Sequence, residues 1–223
     1  MEEKHVVDIL SVEQVTHDVK CFRVSKPKGY SFIPGQATEI SINKEDWQTK
    51  RNPFTFTSLN GWDHLEFTIK IYRERNGVTR QLDLLRPGDE LILHDVWGAI
   101  RYKGEGTFIA GGAGITPFIA IFRQLYQDEK IGNNKLLFSN KTVADIILKD
   151  EFTKMLGSNF INTLTKEKTA GYEHHRIDEA YLTDKIRDFN QQFYICGPDE
   201  MVHTLQATLR KLGCSGSVIT VEL

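Results

Sequence analysis

The sequence predicts two domains: an antiparallel β-barrel over residues 1–103, then an α/β domain with a parallel sheet over residues 104–223. Three observations predict this. The first half is a series of short β-branched segments punctuated by Gly and Pro, the pattern of antiparallel barrels and sandwiches. The second half alternates strand-like with helical runs, which implies a parallel sheet covered on both faces. Near the start of the second half, at Thr107–Leu125, a buried strand runs into a turn of small residues and then a helix. Such a turn lets backbone approach a ligand and aims free N–H groups at an anion.

In the first half, Val6–Val15, Val19–Val24 and Ala37–Ile42 are β-branched and partly alternating. Leu65–Tyr72 alternates cleanly between apolar and polar residues, and Glu90–His94 is a further short strand. Lys28-Gly29, Pro34-Gly35, Asn60-Gly61 and Pro87-Gly88 mark the turns. A short helix is expected at Val78–Leu85, where Leu82 and Leu85 share a face. In the second half, strands are expected at Thr107–Ala110, Lys135–Ser139, Asn159–Leu164, Gln192–Cys196 and Ser217–Val221. Helices are expected at Pro117–Gln127, Ala180–Ile186 and Asp199–Leu212; in the last, Met201, Val202, Leu205, Leu209 and Leu212 recur at helical spacing. Thr116 is expected to cap the first of these helices, with Pro117 at the first helical position.

Composition excludes several classes. The net charge of −2 is small, and both halves are close to neutral. Residues 1–103 carry 15 basic and 15 acidic side chains and residues 104–223 carry 13 and 15, so neither half is a basic nucleic-acid platform. No apolar run has the length of a membrane span. Cys21, Cys196 and Cys214 lack CxxC spacing, which argues against a metal or iron–sulfur site built from cysteine. Their odd number, with no secretory signal, suggests a reducing, cytoplasmic setting. His174-His175 falls in a polar loop and is not read as a metal site.

Two further stretches carry chemical signals. In Arg51-Asn52-Pro53-Phe54-Thr55-Phe56-Thr57-Ser58, hydroxyls, aromatics and a cation are interleaved. On an extended strand Thr55 and Thr57 share one face and Phe54 and Phe56 the other. That pattern suits the edge and face of a flat ring, and equally an ordinary amphipathic strand. Cys196 precedes Gly197-Pro198; alone it reads as a buried cysteine on a strand. Gly112-x-Gly114 has Pro117 where the Rossmann fingerprint has its third glycine, so it also fits any tight strand–helix turn.

Taken together and in order, these stretches resemble the ferredoxin–NADP reductase superfamily. Phe32-x-Pro34-Gly35-Gln36 is similar to its barrel motif, and Pro53-Phe54-Thr55-x-Thr57-Ser58 to its flavin motif. Asn76-Gly77-Val78-Thr79 is similar to its flavin-pyrophosphate segment. Gly111–Pro117 resembles its nicotinamide-nucleotide motif, and Cys196-Gly197-Pro198 its Cys-Gly-Pro motif. The resemblance implies a flavin-binding β-barrel followed by a Rossmann-like α/β domain that binds a nicotinamide nucleotide. It implies a reductase that moves a hydride from NAD(P)H to bound FAD and passes electrons to a separate redox protein such as a ferredoxin, a flavodoxin or an oxygenase component.

Implied roles follow. Thr55 would hydrogen-bond near the flavin N5, with Phe54 against the ring system and Arg51, Pro53, Thr57 and Ser58 in the same flavin segment. Gly77, Val78 and Thr79 would meet the flavin pyrophosphate, which favours FAD over FMN. Gly112, Gly114 and Thr116 would hold the nicotinamide nucleotide. Cys196, followed by Gly197 and Pro198, would lie beside the nicotinamide ring, and Glu222 would take the place of the acid before the family's terminal aromatic. Lys141 and Lys166 favour NADPH over NADH by offering charge to a 2′-phosphate. The chain departs from the pattern at Asn52, where the family has Arg, and at Leu223, where plant-type members end in an aromatic. These departures keep open two alternatives, a non-catalytic electron-transfer or regulatory subunit and a reductase of free flavin.

Overall fold

A computed structural model of the protein describes residues 4–222, and of Glu222 only the backbone. The expected role of Glu222 and the terminal Leu223 therefore lie outside the described side chains.

The first sheet is built from β1 (His5–Thr16), β2 (Val19–Ser25), β3 (Ala37–Ile42), β4 (Asn52–Thr55), β5 (His64–Lys70) and β6 (Glu90–Trp97). All its pairings are antiparallel, in the order β4-β3-β6-β1-β2-β5. The sheet curls until its two edges meet at one bridge, Phe56 to Phe67, giving a barrel that is not fully closed. Its core is aromatic and aliphatic: Phe22, Phe56, Phe67, Ile40 and Leu93 are all buried. Phe32, from the Phe32–Gln36 stretch, stacks on Phe56 at 4.2 Å, and the Gln36 carbonyl accepts the Phe56 amide at 3.1 Å. Those contacts fix the chain just beyond β4. Pro53 is tolerated there because β4 is an edge strand, where a missing N–H breaks no ladder on the open side. The helix α1 (Val78–Leu82) is a turn shorter than the sequence suggests.

The second sheet is parallel: β7 (Gly106–Gly111), β8 (Lys135–Asn140), β9 (Phe160–Leu164), β10 (Gln192–Cys196) and β11 (Ile219–Glu222), in the order β11-β10-β7-β8-β9. The chain winds outward from β7 to β9, then returns to the other side of β7. The switch point therefore lies between the ends of β7 and β10, where ligands of open α/β sheets bind. Helices α2 (Thr116–Gln127), α3 (Lys149–Leu156), α4 (Glu179–Lys185) and α5 (Asp199–Lys211) cover the sheet. Two cores result, one around Phe108, Phe118, Phe122 and Phe152, the other around Ile195, Val202, Leu205 and Leu209. Ile100 is buried in the first of these and Tyr102 packs against it, although both precede the expected domain boundary.

Two local expectations need correction. Thr116 does not cap α2. A 3-10 turn over Gly112–Ile115 runs directly into the helix, Thr116 already has helical backbone, and no side chain caps the helix. The helix α3 has no counterpart in the sequence reading. It follows Leu148 in a left-handed conformation (φ +50°), so the usual Ser, Thr, Asp or Asn start signal is missing.

Candidate active site

The carboxyl ends of β7 and β10 each lead into a small-residue turn, and the two turns pack backbone against backbone. A Cβ on Gly114 would lie 2.3 Å from the Cys196 carbonyl oxygen and 2.5 Å from the Gly197 nitrogen. A Cβ on Gly111 would lie 2.7 Å from the Met201 sulfur. Gly112 differs: it has φ +53° and open space where a Cβ would stand. Gly114 thus serves turn-to-turn packing, whereas Gly112 leaves backbone exposed at the crevice.

That crevice, of about 780 Å³, is walled by Gly111–Gly114, Ser139–Lys141 and Cys196–Asp199. Within it lies a buried carboxamide: Asn140 is 4% exposed, and neither its Oδ1 nor its Nδ2 has a partner. A buried amide without partners is costly unless a ligand meets it. The orphaned amide and the open Gly112 backbone fit a polar nucleotide at this position.

A second cavity of about 350 Å³ lies on the barrel side, lined by Asn52–Thr55, Thr68–Lys70, Gly77–Thr79 and Thr116. Lys70, Tyr72, Arg75 and Ala113 line both spaces, so the two form one continuous cleft between the domains. Thr55 and Cys196 lie in its two arms. The hydroxyls of Thr55, Thr68 and Thr116 and the uncapped first turn of α1 supply polar groups to the barrel arm. Arg75 lies over the Tyr72 ring at 4.9 Å, and Lys70 pairs with Asp18 at 2.8 Å. Donors and cations of this kind fit a flavin carrying a pyrophosphate.

Several expected site residues lie elsewhere. Arg51 is not in the lining; it lies just before β4 and pairs with Glu39 at 3.4 Å. The cations lining the barrel arm are Lys70 and Arg75. Thr57 and Ser58 turn inward. The Thr57 hydroxyl donates to Glu66 Oε1 at 2.9 Å, and the Ser58 hydroxyl accepts the Glu66 amide at 3.0 Å. The even alternation expected through Ser58 fails because β4 ends at Thr55. Thr116 faces the barrel arm rather than the nucleotide crevice. Lys166 is exposed and outside the lining, although its neighbour Thr165 and its hydrogen-bond partner Lys141 are part of it. The Thr79 hydroxyl accepts the Tyr72 amide at 3.4 Å, which ties the start of α1 to the end of β5.

Sequence reasoning missed Lys70, Tyr72, Arg75, Asn140 and a buried ionic group. Glu66, 3% exposed in its side chain, bonds Arg123 at 2.6 Å. Burial alone would raise the Glu66 carboxyl, but the Arg123 charge and the hydrogen bonds from Arg123 and Thr57 hold it below the usual carboxylate range. Burial, and then the same carboxylate, push the neighbouring Cys21 thiol up.

Residues 108–207 match the family model of the oxidoreductase NAD-binding domain. The chain is 27% identical to human (Homo sapiens) NADH-cytochrome b5 reductase 1, with 96% of this chain aligned to 83% of that protein. It is 25% identical to the reductase component of propane 2-monooxygenase from Rhodococcus jostii, with 94% of this chain covered. It spans only 60% of that protein's length, and 27% of an Arabidopsis thaliana nitrate reductase that it also matches. The fold is that of a ferredoxin NADP+ reductase from Neisseria gonorrhoeae solved with FAD and NADP, with a TM-score of 0.83, 20% identity and 98% of each chain covered.

Proposed function

Proceeding from this chain's likeness to the ferredoxin–NADP reductase superfamily, we propose that it is a flavoprotein reductase that takes a hydride from NAD(P)H onto bound FAD and delivers electrons to a separate redox protein. The observation that carries this reading is the continuous cleft joining Thr55 to Cys196 across the two domains. FAD, when bound, supplies the hydride acceptor and the step-down from electron pairs to single electrons. The chain's own residues bind, orient and exclude water. Thr55 and Phe54 set the flavin ring; Val78, Thr79 and Arg75 meet its pyrophosphate. Gly112 and Asn140 hold the nicotinamide nucleotide, and Cys196 leaves room for close approach of its ring.

A nucleotide preference is proposed from the charges in the crevice. With Lys166 outside it, Lys141 is the one lysine of the expected pair in the lining, and it shares that lining with Asp145 and Asp199. Lys70 and Arg75 are shared with the barrel arm; the charged groups of the nucleotide arm alone are Lys141, Asp145 and Asp199, a balance that disfavours a 2′-phosphate, and we read NADH as the preferred donor. This reading departs from the NADPH preference drawn from the two lysines. No helix among the described residues is long and apolar enough to cross a membrane. Cys21, Cys196 and Cys214 are not joined by disulfides, and the reducing, cytoplasmic setting remains a proposal from cysteine usage.

The test is anaerobic. Protein loaded with FAD is expected to show bound-flavin absorbance that bleaches faster with NADH than with NADPH, then recovers with a redox-protein acceptor. A protein that cannot be loaded with FAD would instead be an electron-transfer or regulatory subunit. The placement of Arg51 against Glu39 favours one variation: flavin that dialyses out readily, with activity restored by excess flavin, would identify a reductase of free flavin.

A further inference from the structure

One buried guanidinium bridges the two domains. Arg123 lies on α2, two helical turns after Thr116 of the cleft wall. Its side chain is 12% exposed. Within its own domain, Nε and Nη2 form a fork on Glu151 of α3 at 2.5 and 2.9 Å. Across the boundary, Nη1 donates to the Thr57 carbonyl at 2.7 Å and to Glu66 Oε1 at 2.6 Å. Trp62 of the barrel lies 5.2 Å away, with its ring facing the guanidinium.

The barrel side of this contact continues to the cleft. Thr57 donates to the same Glu66 oxygen, and Thr68, which lines the barrel cavity, donates to Thr57 at 3.3 Å. Thr55 is two residues from Thr57. A single side chain of the α/β domain is thereby joined by hydrogen bonds to the cavity wall. A second cross-domain ion pair differs: His17 to Asp145 spans 3.8 Å, with the His17 side chain 59% exposed. Exposed pairs constrain little, whereas a buried fork bonded on both sides fixes position and angle.

We propose that Arg123 is a positioning residue for hydride transfer. It sets the α/β domain on the barrel so that the two arms of the cleft face each other. The proposal rests on the reductase reading above. Lysine separates positioning from simple stabilisation, because an ammonium can neutralise Glu66 but cannot fork onto Glu151 and hold Thr57 at once.

The test compares wild type, R123K and R123Q as full-length protein. In R123K the melting temperature and FAD affinity are expected to stay near wild type. Flavin reduction at saturating NADH is expected to fall by about 10- to 100-fold, the scale of an ångström-sized misplacement. The KM for NADH should change much less. In cofactor-free R123K, amide exchange should quicken at residues 55–58 while the rest of the barrel keeps its protection. Wild-type reduction rates in R123K, or unchanged exchange at 55–58, would overturn the proposal. Should R123Q fail to fold, R123K alone still decides. Should wild type bind no flavin, the reductase reading fails by itself and the exchange measurement still tests the role of Arg123.

Discussion

The two walls of the cleft are made of different material. On the α/β side the wall is backbone: the Gly111–Gly114 and Cys196–Gly197 turns touch without intervening side chains. On the barrel side it is side chains, with Thr55, Thr68, Tyr72 and Arg75 projecting from strands and a loop. Where backbone packs on backbone no added atom is tolerated, because the neighbours cannot rotate away. A side-chain wall can be altered residue by residue, because each group can be replaced while the strands stay paired. The first should therefore be sensitive to single methyl groups and the second to changes of chemistry.

Gly114→Ala tests the backbone wall most severely. Its Cβ would lie 2.3 Å from the Cys196 carbonyl oxygen and 2.4 Å from its carbon, both main-chain atoms that cannot yield alone. The variant is expected to lose about 4 kcal/mol in urea denaturation, at the top of the range for point mutants. Gly112→Ala, two residues away, meets open space and carries only the penalty of its positive φ, about 1 kcal/mol. Equal losses at the two positions would break the comparison.

Behind the side-chain wall sits Glu66, and its charge state makes the contrast pH-dependent. Its carboxyl is held below the usual range in the folded protein. It therefore adds stability that is complete above the unfolded value of about 4.3 and is lost as pH falls through the folded value. Glu66→Gln is expected to cost about 3 kcal/mol at neutral pH, because Arg123 loses a buried counter-charge. The gap between wild type and variant should narrow on acidification below about pH 4. Subtracting the variant removes the contributions of Asp18, Asp83 and Asp89, whose carboxyls are also lowered. A gap that is constant with pH would mean that Glu66 is not a working charge.

Asn140→Leu should separate ligand binding from stability. Its carboxamide is buried without a partner, so the apolar variant is expected to be more stable by about 1 kcal/mol in the absence of nucleotide. The KM for NADH should rise about tenfold, which corresponds to 1.4 kcal/mol. A stability gain with no change in KM would remove Asn140 from the nucleotide site.

Much of this was legible in sequence, and the reason is physical. Periodicity exposed the strands and most helices, since burial on one face leaves a repeat of two or of 3.6 residues. The Gly and Pro positions located the turns at the cleft, and the order of motifs paired the two domains. Long-range polar partners leave no such trace. Glu66 and Arg123 are 57 residues apart, and Glu66 occupies an ordinary polar position in an alternating strand. Thr57 and Ser58 read as ligand-facing because the sequence does not disclose that β4 stops at Thr55. Arg75 follows β5 in a loop whose direction only the fold determines.

The smallest expected effect sharpens the comparison at the nucleotide. Lys141 and Lys166 are indistinguishable in sequence as partners for a ribose phosphate, yet only Lys141 lines the crevice. A solvated lysine outside the lining contributes little through water and salt. Lys166→Gln is therefore expected to leave the KM for NADH and NADPH within twofold of wild type. Lys141→Gln should raise the KM for NADPH about threefold, or ~0.7 kcal/mol, and that for NADH less. Steady-state assays at two salt concentrations check this, since the Lys141 effect should shrink at high salt. An effect at Lys166 equal to that at Lys141 would mean that the bound nucleotide extends beyond the crevice, over the chain that follows β9.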